Sequence, residues 1–242
     1  MGQSLDEIAE EALYQRSRAM WHPVAFADDL DDQPMAVRLL DEAIAIARID
    51  GDVVAFKDLC IHRGTALSLG TVVDGGLQCA YHGWTFDSTG ACVRIPSRPE
   101  GSIPRKAKVQ SYAVQESVGL VWVCLEPPAE FPIPSYRPWD DTSFRTVRIP
   151  LYDWKSSAAR RVENFVDFSH FPFVHANING DPDDPEPIGD YEVFKDEAGI
   201  RTGQIPRFQP FGDHRGIPVT AYYQYNCPRP LSAYLDRKST RL

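Results

Sequence analysis

Short runs of alternating apolar and polar residues fill the first half of the chain. Three of them lie at residues 37–39, 44–46 and 53–55, and a continuous apolar run follows at residues 120–125. Turn sequences separate the runs at Asp50-Gly51, at Asp74-Gly75-Gly76 and at residues 87–90. Alternation with a period of two, interrupted by such turns, is typical of antiparallel strands. The pattern therefore predicts a small antiparallel β domain over residues 20–126.

Helical spacing occurs on both sides of this β region. Near the N-terminus, apolar residues recur at Leu5, Ile8, Ala12 and Leu13, which predicts a helical lead-in over residues 1–19. Five prolines between residues 127 and 138 exclude a packed sheet or helix and indicate a linker over residues 127–139. Beyond it, a predicted strand at 144–149 and a predicted helix at 154–169 begin a second domain over residues 140–242.

The composition limits which kinds of binding partner and which cellular compartment are expected for the protein. The 242 residues carry a formal net charge of −9, which argues against nucleic acid and anionic membranes as partners. Acidic residues occupy the N-terminal positions where a signal peptide needs an apolar core, and no apolar run approaches the roughly 20 residues of a membrane span. The five cysteines, an odd number, argue against a disulfide framework and favour a reducing cytoplasm.

Four potential metal ligands form two pairs within the predicted β domain. One residue separates Cys60 from His62, two residues separate Cys79 from His82, and sixteen residues lie between the pairs. Two thiolates and two imidazoles also suit tetrahedral zinc, but zinc fingers usually group cysteine with cysteine and histidine with histidine. A Rieske [2Fe-2S] cluster binds two thiolates on one iron and two imidazoles on the other, so one cysteine and one histidine per loop is what it needs.

The sequence around both pairs resembles the Rieske domain in the large subunits of ring-hydroxylating oxygenases. The matching segments are CIHRG, starting at Cys60, and CAYHGWTFD, starting at Cys79. Respiratory and photosynthetic Rieske proteins carry one more cysteine in each loop, joined as a disulfide, where this chain has Thr65 and Tyr81. The resemblance therefore implies a cluster without that disulfide, as in the oxygenase and ferredoxin types.

A second candidate site lies in the predicted helix of the second domain. It consists of Asn164, Asp167, His170 and His175, of which the first three are spaced three residues apart on one helix face. Five residues of continuous helix would turn His175 about 140° away from His170, so Pro172 is expected to break the helix between them. Two histidines brought together in this way suit a 2-His-1-carboxylate site for mononuclear non-haem iron. Taken alone, the motif fits two core histidines equally well.

The same family resemblance assigns a role to each of these residues. His170 and His175 would bind Fe(II), Asp167 would connect one of them to a Rieske histidine of a neighbouring subunit, and Asn164 would have a secondary role. The family's third iron ligand is an aspartate further along the chain. None of the available carboxylates fits its place in the pattern; they are Asp181, Asp183, Asp184, Asp190 and Asp213. We therefore expect the α+β helix-grip catalytic domain to be incomplete and residues 237–242 to be a non-native tail.

Together, the two motifs imply a mainly β fold with some α structure and the terminal oxygenase component of a Rieske non-haem iron system. Electrons from NAD(P)H would arrive through a reductase or ferredoxin and pass from the [2Fe-2S] cluster to Fe(II), for O₂-dependent hydroxylation or demethylation of a small aromatic substrate. The resemblance implies a homotrimer and is strongest to vanillate and dicamba demethylases. The alternative is a Rieske-type electron-transfer protein without oxygenase activity.

Overall fold

The chain divides into two units between Arg145 and Thr146. The computed structural model describes residues 5–150, 153–176, 178–183, 185, 187–210 and 217–239. In both units strand residues outnumber helical residues, which confirms the predicted mainly β fold with some α structure. Within the described ranges, no helix combines the length and the apolar character needed to cross a bilayer.

The first unit contains one α-helix and three antiparallel sheets in its described residues. Helix α1 spans Leu5–Arg18. The strands are β1 (His22–Phe26), β2 (Met35–Leu39), β3 (Glu42–Ile49), β4 (Asp52–Lys57), β5 (Thr71–Val73), β6 (Gly76–Gln78), β7 (Thr85–Phe86), β8 (Cys92–Arg94), β9 (Ala113–Ser117) and β10 (Leu120–Cys124). The sheets have the strand orders β1-β10-β9, β2-β3-β4 and β5-β6-β7-β8. The three alternating runs lie in strands, as predicted, and so does the apolar run except for Leu125, which follows β10.

Strand β3 lies between two hydrophobic cores of the first unit. Ala45 packs into one core and Ile44 into the other, and both side chains are fully buried. Alternation along this strand therefore separates two apolar environments, whereas a strand on the protein surface would separate core from solvent. The core that contains Ala45 also contains Cys60 and Cys79. The candidate thiol ligands are consequently part of the packed interior.

The second unit contains two short α-helices and one sheet in its described residues. The helices are α2 (Ala158–Val166) and α3 (Phe171–Val174), and the strands are β11 (Val193–Asp196), β12 (Gly199–Thr202), β13 (Ile205–Gln209), β14 (Val219–Cys227) and β15 (Tyr234–Ser239). The nine-residue β14 pairs with β12, β13 and β15, all antiparallel. Phe168, between the two helices, and Phe171, the first residue of α3, share a buried core with Tyr223 and Tyr225 of β14. This core fixes the helical segment to the sheet.

Two sequence predictions outside the β domain are wrong. Residues 144–149 form no strand, because their apolar side chains are exposed and no described strand pairs with them. The helix predicted over residues 154–169 is shorter, since the Ser157 side chain caps its start and the extended backbone of Asp167, with ψ of 131°, ends it. Residues 237–239 of the expected non-native tail lie in β15, and residues 240–242 lie outside the described residues.

Candidate metal centres

The first pair of candidate ligands lies in a loop that closes on itself after β4. The amide of Cys60 donates to the carbonyl of Thr65 at 2.8 Å, and the amide of Gly64 donates back to the carbonyl of Cys60 at 2.9 Å. Gly64 has φ of +78°, in the left-handed region that favours glycine. These two bonds hold His62 at the tip of a tight turn.

The second pair lies in a loop of the same construction between β6 and β7. The amide of Cys79 donates to the carbonyl of Trp84 at 2.8 Å, and the amide of Gly83 donates to the carbonyl of Cys79 at 3.0 Å. Gly83 has φ of +68° and occupies the place that Gly64 has in the first loop. The glycine that follows each pair in the sequence thus closes each turn.

The structure places the two thiols next to each other and the two imidazoles next to each other. The Cys60 and Cys79 thiols are hydrogen-bond neighbours, and each cysteine is only 3% exposed. The rings of His62 and His82 lie 4.5 Å apart between centroids, and His62 also stacks on Trp84 at 4.5 Å. His62 is half-buried and His82 is exposed. Two sulfur donors therefore face the interior, and two nitrogen donors lie nearer the surface.

The ionisation and hydrogen bonding of these groups fit a bound [2Fe-2S] cluster. Burial and the neighbouring Cys79 thiol raise the pKa of Cys60 to about 11, so its thiolate needs a nearby positive charge, such as iron. Desolvation, His82 and Arg63 lower the pKa of His62, which favours the neutral imidazole that binds metals. The buried Nδ1 of His62 has no hydrogen-bond partner among the described residues. A metal bond would satisfy this nitrogen.

The grouping of the donors distinguishes a two-iron cluster from zinc. A single zinc ion would require all four donors to converge on one point. A thiol pair beside an imidazole pair is instead the distribution that a Rieske cluster uses.

The structure also brings His170 and His175 together, although not by the predicted break at Pro172. His170 is the N-cap of α3 and His175 is its C-cap, and their ring centroids lie 5.2 Å apart. Pro172 lies within the first turn of α3, where the missing amide of a proline is tolerated. The chain leaves the helical conformation earlier, at Asp167. Two imidazoles at this separation can bind one metal ion between them.

Asp167 contacts His170. The sequence left open whether Asp167 would contact His170 or His175, and the structure favours His170. Its Oδ2 lies 3.1 Å from His170 Nδ1, while the amide and the hydroxyl of Ser169 both donate to its Oδ1. The Ser169 hydroxyl is the main cause that lowers the pKa of Asp167, and the Ser169 amide and His170 add to the effect. The carboxylate is thus ionised and oriented toward the imidazole.

Asn164 does not share a helix face with Asp167 and His170, because α2 ends before them. Its side chain accepts from Arg161 at 3.5 Å on the exposed surface of α2. No third ligand accompanies His170 and His175 within the described ranges, since no group of three candidate donors occurs there. Asp181, Asp183 and Asp190 are exposed, whereas Asp184 and Asp213 lie outside the described residues.

Two residues near the sites were not singled out from the sequence. Trp84 stacks on His62, and its position directly after His82-Gly83 was the available signal. Ser169 anchors Asp167 in an Asx turn, in which a side chain bonds the amide two residues further along. An aspartate followed two positions later by serine was the corresponding signal.

Comparison with known proteins extends over both units. Residues 20–113 match the Rieske [2Fe-2S] domain, and residues 154–231 match the C-terminal domain of vanillate O-demethylase oxygenase. The methylxanthine N3-demethylase NdmB of Pseudomonas putida is 32% identical to the chain, with 98% of this chain and 69% of that protein aligned. The chain belongs to the Rieske non-haem iron oxygenases. This membership confirms the resemblance found in the sequence and favours it over a Rieske electron carrier.

Other members of the Rieske oxygenase family agree with this assignment. The methylxanthine N1-demethylase NdmA of Pseudomonas putida is 41% identical over 90% of this chain, and the oxygenase component of dicamba O-demethylase from Stenotrophomonas maltophilia is 35% identical over 90%. The structure of NdmA with caffeine superimposes with a TM-score of 0.82 at 35% identity, covering 93% of this chain and 66% of that chain. The chain spans 64% of the length of the N1-demethylase.

Proposed function

We propose that the protein acts as a terminal oxygenase that demethylates or hydroxylates a small aromatic substrate. The observation that carries this proposal is the presence of two separate donor sets in one chain. The four cysteine and histidine side chains of the first unit fit a Rieske cluster, and His170 and His175 fit a mononuclear iron. A protein that only carries electrons would need the first set alone.

The two donor sets suit different tasks. When bound, a [2Fe-2S] cluster supplies single electrons, and mononuclear Fe(II) with open coordination positions supplies dioxygen activation. In the first unit, the buried thiols of Cys60 and Cys79 keep water away from one side of the site. The exposed ring of His82 presents the other side to the surface, where an external electron donor has access.

Asp167 prepares His170 for metal binding. The Nδ1–H of His170 donates to the Asp167 carboxylate, which fixes the proton on Nδ1 and leaves Nε2 with a lone pair for the metal. The side chain of Asp167 is 46% exposed, so it can accept a second hydrogen bond from outside the chain. We assign that bond to a Rieske histidine of a neighbouring subunit in a homotrimer, and to Asn164 only a supporting place on α2.

The names of the relatives guide the choice of substrate and partners. They include demethylases of methylxanthines and of dicamba, so an aromatic molecule with an N-methyl or O-methyl group is the proposed substrate. Electrons would come from NAD(P)H through a reductase or ferredoxin, and the protein would work in the cytoplasm.

Iron content and product formation test this proposal together. An oxygenase binds about three iron atoms per chain, two in the cluster and one at the second site, whereas an electron carrier binds about two. We expect His170→Ala to lose about one of the three iron atoms, because only one imidazole then remains at the second site. Oxygen-dependent product should disappear, and the cluster absorbance should stay unchanged.

A matched control uses a histidine outside both sites. The ring of His22 bonds the carbonyl of Ser17 at 2.7 Å within the first unit, so His22→Ala should retain all of the iron. If His170→Ala abolished the cluster absorbance, or kept full iron content and product formation, the second iron site would be wrong.

A further inference from the structure

A strip of positive charge lies beside the Rieske loops of this acidic chain. Between residues 94 and 108 the sequence has five basic residues and a single acidic one, Glu100, although the whole chain has a net charge of −9. All five basic side chains are exposed. We define this basic strip as Arg94, Arg98, Arg105, Lys106 and Lys108.

The charges of the basic strip are not neutralised locally. None of its five residues forms an ion pair with the described parts of the chain, whereas arginines elsewhere in the first unit do. Arg48, for example, pairs with Glu116, and Arg16 pairs with Glu130. An exposed run of unpaired like charge is unfavourable for the isolated protein, because the charges repel each other. A binding partner of opposite charge would remove that penalty.

Backbone bonds hold the strip in a fixed place next to the second Rieske loop. The segment follows β8, and near its end the carbonyl of Ala107 accepts a hydrogen bond from the amide of Cys92 at 2.8 Å. Ile95 of this segment packs in the same core as Cys60 and Cys79. A Cβ on Gly83 would lie only 3.0 Å from the ring of Pro96, so the segment touches the loop that carries His82.

This location decides between the possible anionic partners. A nucleic acid or an anionic membrane would meet the remaining negative charge of the chain over a large area. A protein that delivers electrons needs only a small contact, and it needs that contact beside the exposed His82. An acidic protein would be repelled by most of the surface and attracted at the strip, so its approach would be oriented toward the cluster loops.

We propose that the basic strip is the docking surface for an acidic electron-donor protein. This inference rests on the proposed function, in which the cluster receives electrons from a separate protein. The strip acts by steering and orienting the encounter, so its effect should appear mainly in the association rate and should weaken as salt screens the charges.

Association kinetics with two probes of opposite charge test this inference. The acidic probe is a plant-type ferredoxin, and the basic probe is cytochrome c. The association rate constant is measured by stopped-flow at salt concentrations from about 0.02 M to about 0.3 M, a range over which the screening length falls severalfold. The double variant Arg98→Glu with Lys106→Glu reverses the strip. Its matched control, Arg38→Glu with Lys195→Glu, makes the same change in net charge at exposed sites outside the strip.

We expect the strip variant to associate with ferredoxin at least tenfold more slowly at low salt, within the range of about 10-fold to 1,000-fold that electrostatic steering covers. The control should change the rate much less, Arg98→Lys with Lys106→Arg should restore it, and cytochrome c should associate faster with the strip variant. Equal slowing in both reversal variants would overturn the proposal, because net charge alone would then explain it. An unchanged rate would overturn it as well.

Two further measurements separate this inference from its alternatives. Sedimentation of the strip variant reports the oligomeric state, and a loss of self-association would identify the strip as a contact between copies of the chain, which would also overturn docking of a donor. The cluster absorbance of each variant shows that the fold is intact. Docking is measured without substrate, so strip-dependent docking in a protein that forms no product would contradict the proposed oxygenase activity while leaving the strip assignment standing.

Discussion

The two candidate metal centres differ in how much of each centre is supplied by a short stretch of chain. Residues 60–82 contribute all four donors of the first centre, from two loops of the same construction. Residues 170–175 contribute two donors of the second, and the described ranges hold no third. A local motif can therefore define a complete site in one unit, whereas the other site depends on how distant parts of the chain are arranged.

The two centres also differ in how completely their surroundings are packed, and the first centre is again the more complete. Cys60 and Cys79 are 3% exposed and belong to a hydrophobic core with strands on several sides. At the second centre, α3 is a single turn in which Phe171 is buried while Val174 is 69% exposed. The first centre is thus held by packing around its ligands, and the second by one aromatic contact surface and the Asp167 bond.

The largest expected effect follows from removing a buried thiol of the first centre. Cys79→Ser should abolish the cluster absorbance, because a hydroxyl cannot replace the thiolate that iron requires. Cys92 lies in the same core but in neither ligand loop, so Cys92→Ser should retain the absorbance. Equal absorbance in the two variants would contradict the assignment of Cys79 as a ligand.

A glycine beside the second loop should control the stability of the first unit. A Cβ on Gly70 would lie 2.1 Å from the carbonyl oxygen of Gln78, the residue before Cys79. Gly70→Ala should therefore lower the free energy of unfolding by about 2 to 3 kcal/mol, because the clash is with backbone. The measurement is denaturant unfolding of the first unit, together with the cluster content.

Gly75→Ala is the matched control for this substitution. Gly75 has open space around its Cβ position but φ of +71°, so the expected loss is about 1 kcal/mol. If both alanine variants lost the same free energy of unfolding, the contact between a Cβ at position 70 and the Gln78 carbonyl would not explain the loss in Gly70→Ala.

A smaller effect is expected at the start of α2 in the second unit. The Ser157 side chain accepts from the amide of Arg160 at 3.3 Å and caps the helix. Ser157→Ala should destabilise the second unit by about 1 kcal/mol, the usual value of such a cap. The neighbouring Ser156→Ala removes a hydroxyl that does not cap the helix. Its thermal unfolding midpoint should be close to that of the unchanged protein, and the midpoint of Ser157→Ala should be lower.

The last expected effect appears only at alkaline pH and concerns the first unit alone. Burial, with the neighbouring Glu42 carboxylate, raises the pKa of Tyr112 to about 12. In the unfolded chain this pKa is about 10, so the stability contributed by the neutral phenol is complete below about pH 10 and is lost as the pH rises from about 10 to about 12. The free energy of unfolding should fall more steeply over this range in the unchanged protein than in Tyr112→Phe. Parallel curves would mean that Tyr112 titrates normally.

The contrast between the centres also explains what could be predicted from the sequence. The spacing of Cys60, His62, Cys79 and His82 was sufficient to predict a Rieske site, because each pair and its closing glycine lie within six residues. Spacing also indicated that His170 and His175 meet. It gave the wrong reason, since helical periodicity carries no information about where a helix ends.

Two competing local interactions account for the errors around the second centre. The Asp167 carboxylate bonds the amide of Ser169, which offers the backbone an alternative to the helix at that residue. Pro172 was expected to end a helix, but within a first turn it is compatible with helical structure. The exposed segment 144–149 shows the third limit, because a strand needs a partner that its own sequence cannot supply.

The paired closure of the two Rieske loops has a consequence for how the protein acquires its cofactor. Each loop is closed by its own backbone hydrogen bonds, so neither needs the other to take its shape. Loading the cluster then requires little ordering of the chain, and most of the conformational entropy has already been lost when the β domain folds. The two pairs of ligands would therefore already be in position when the cluster binds, and cluster insertion would be a binding step that follows folding.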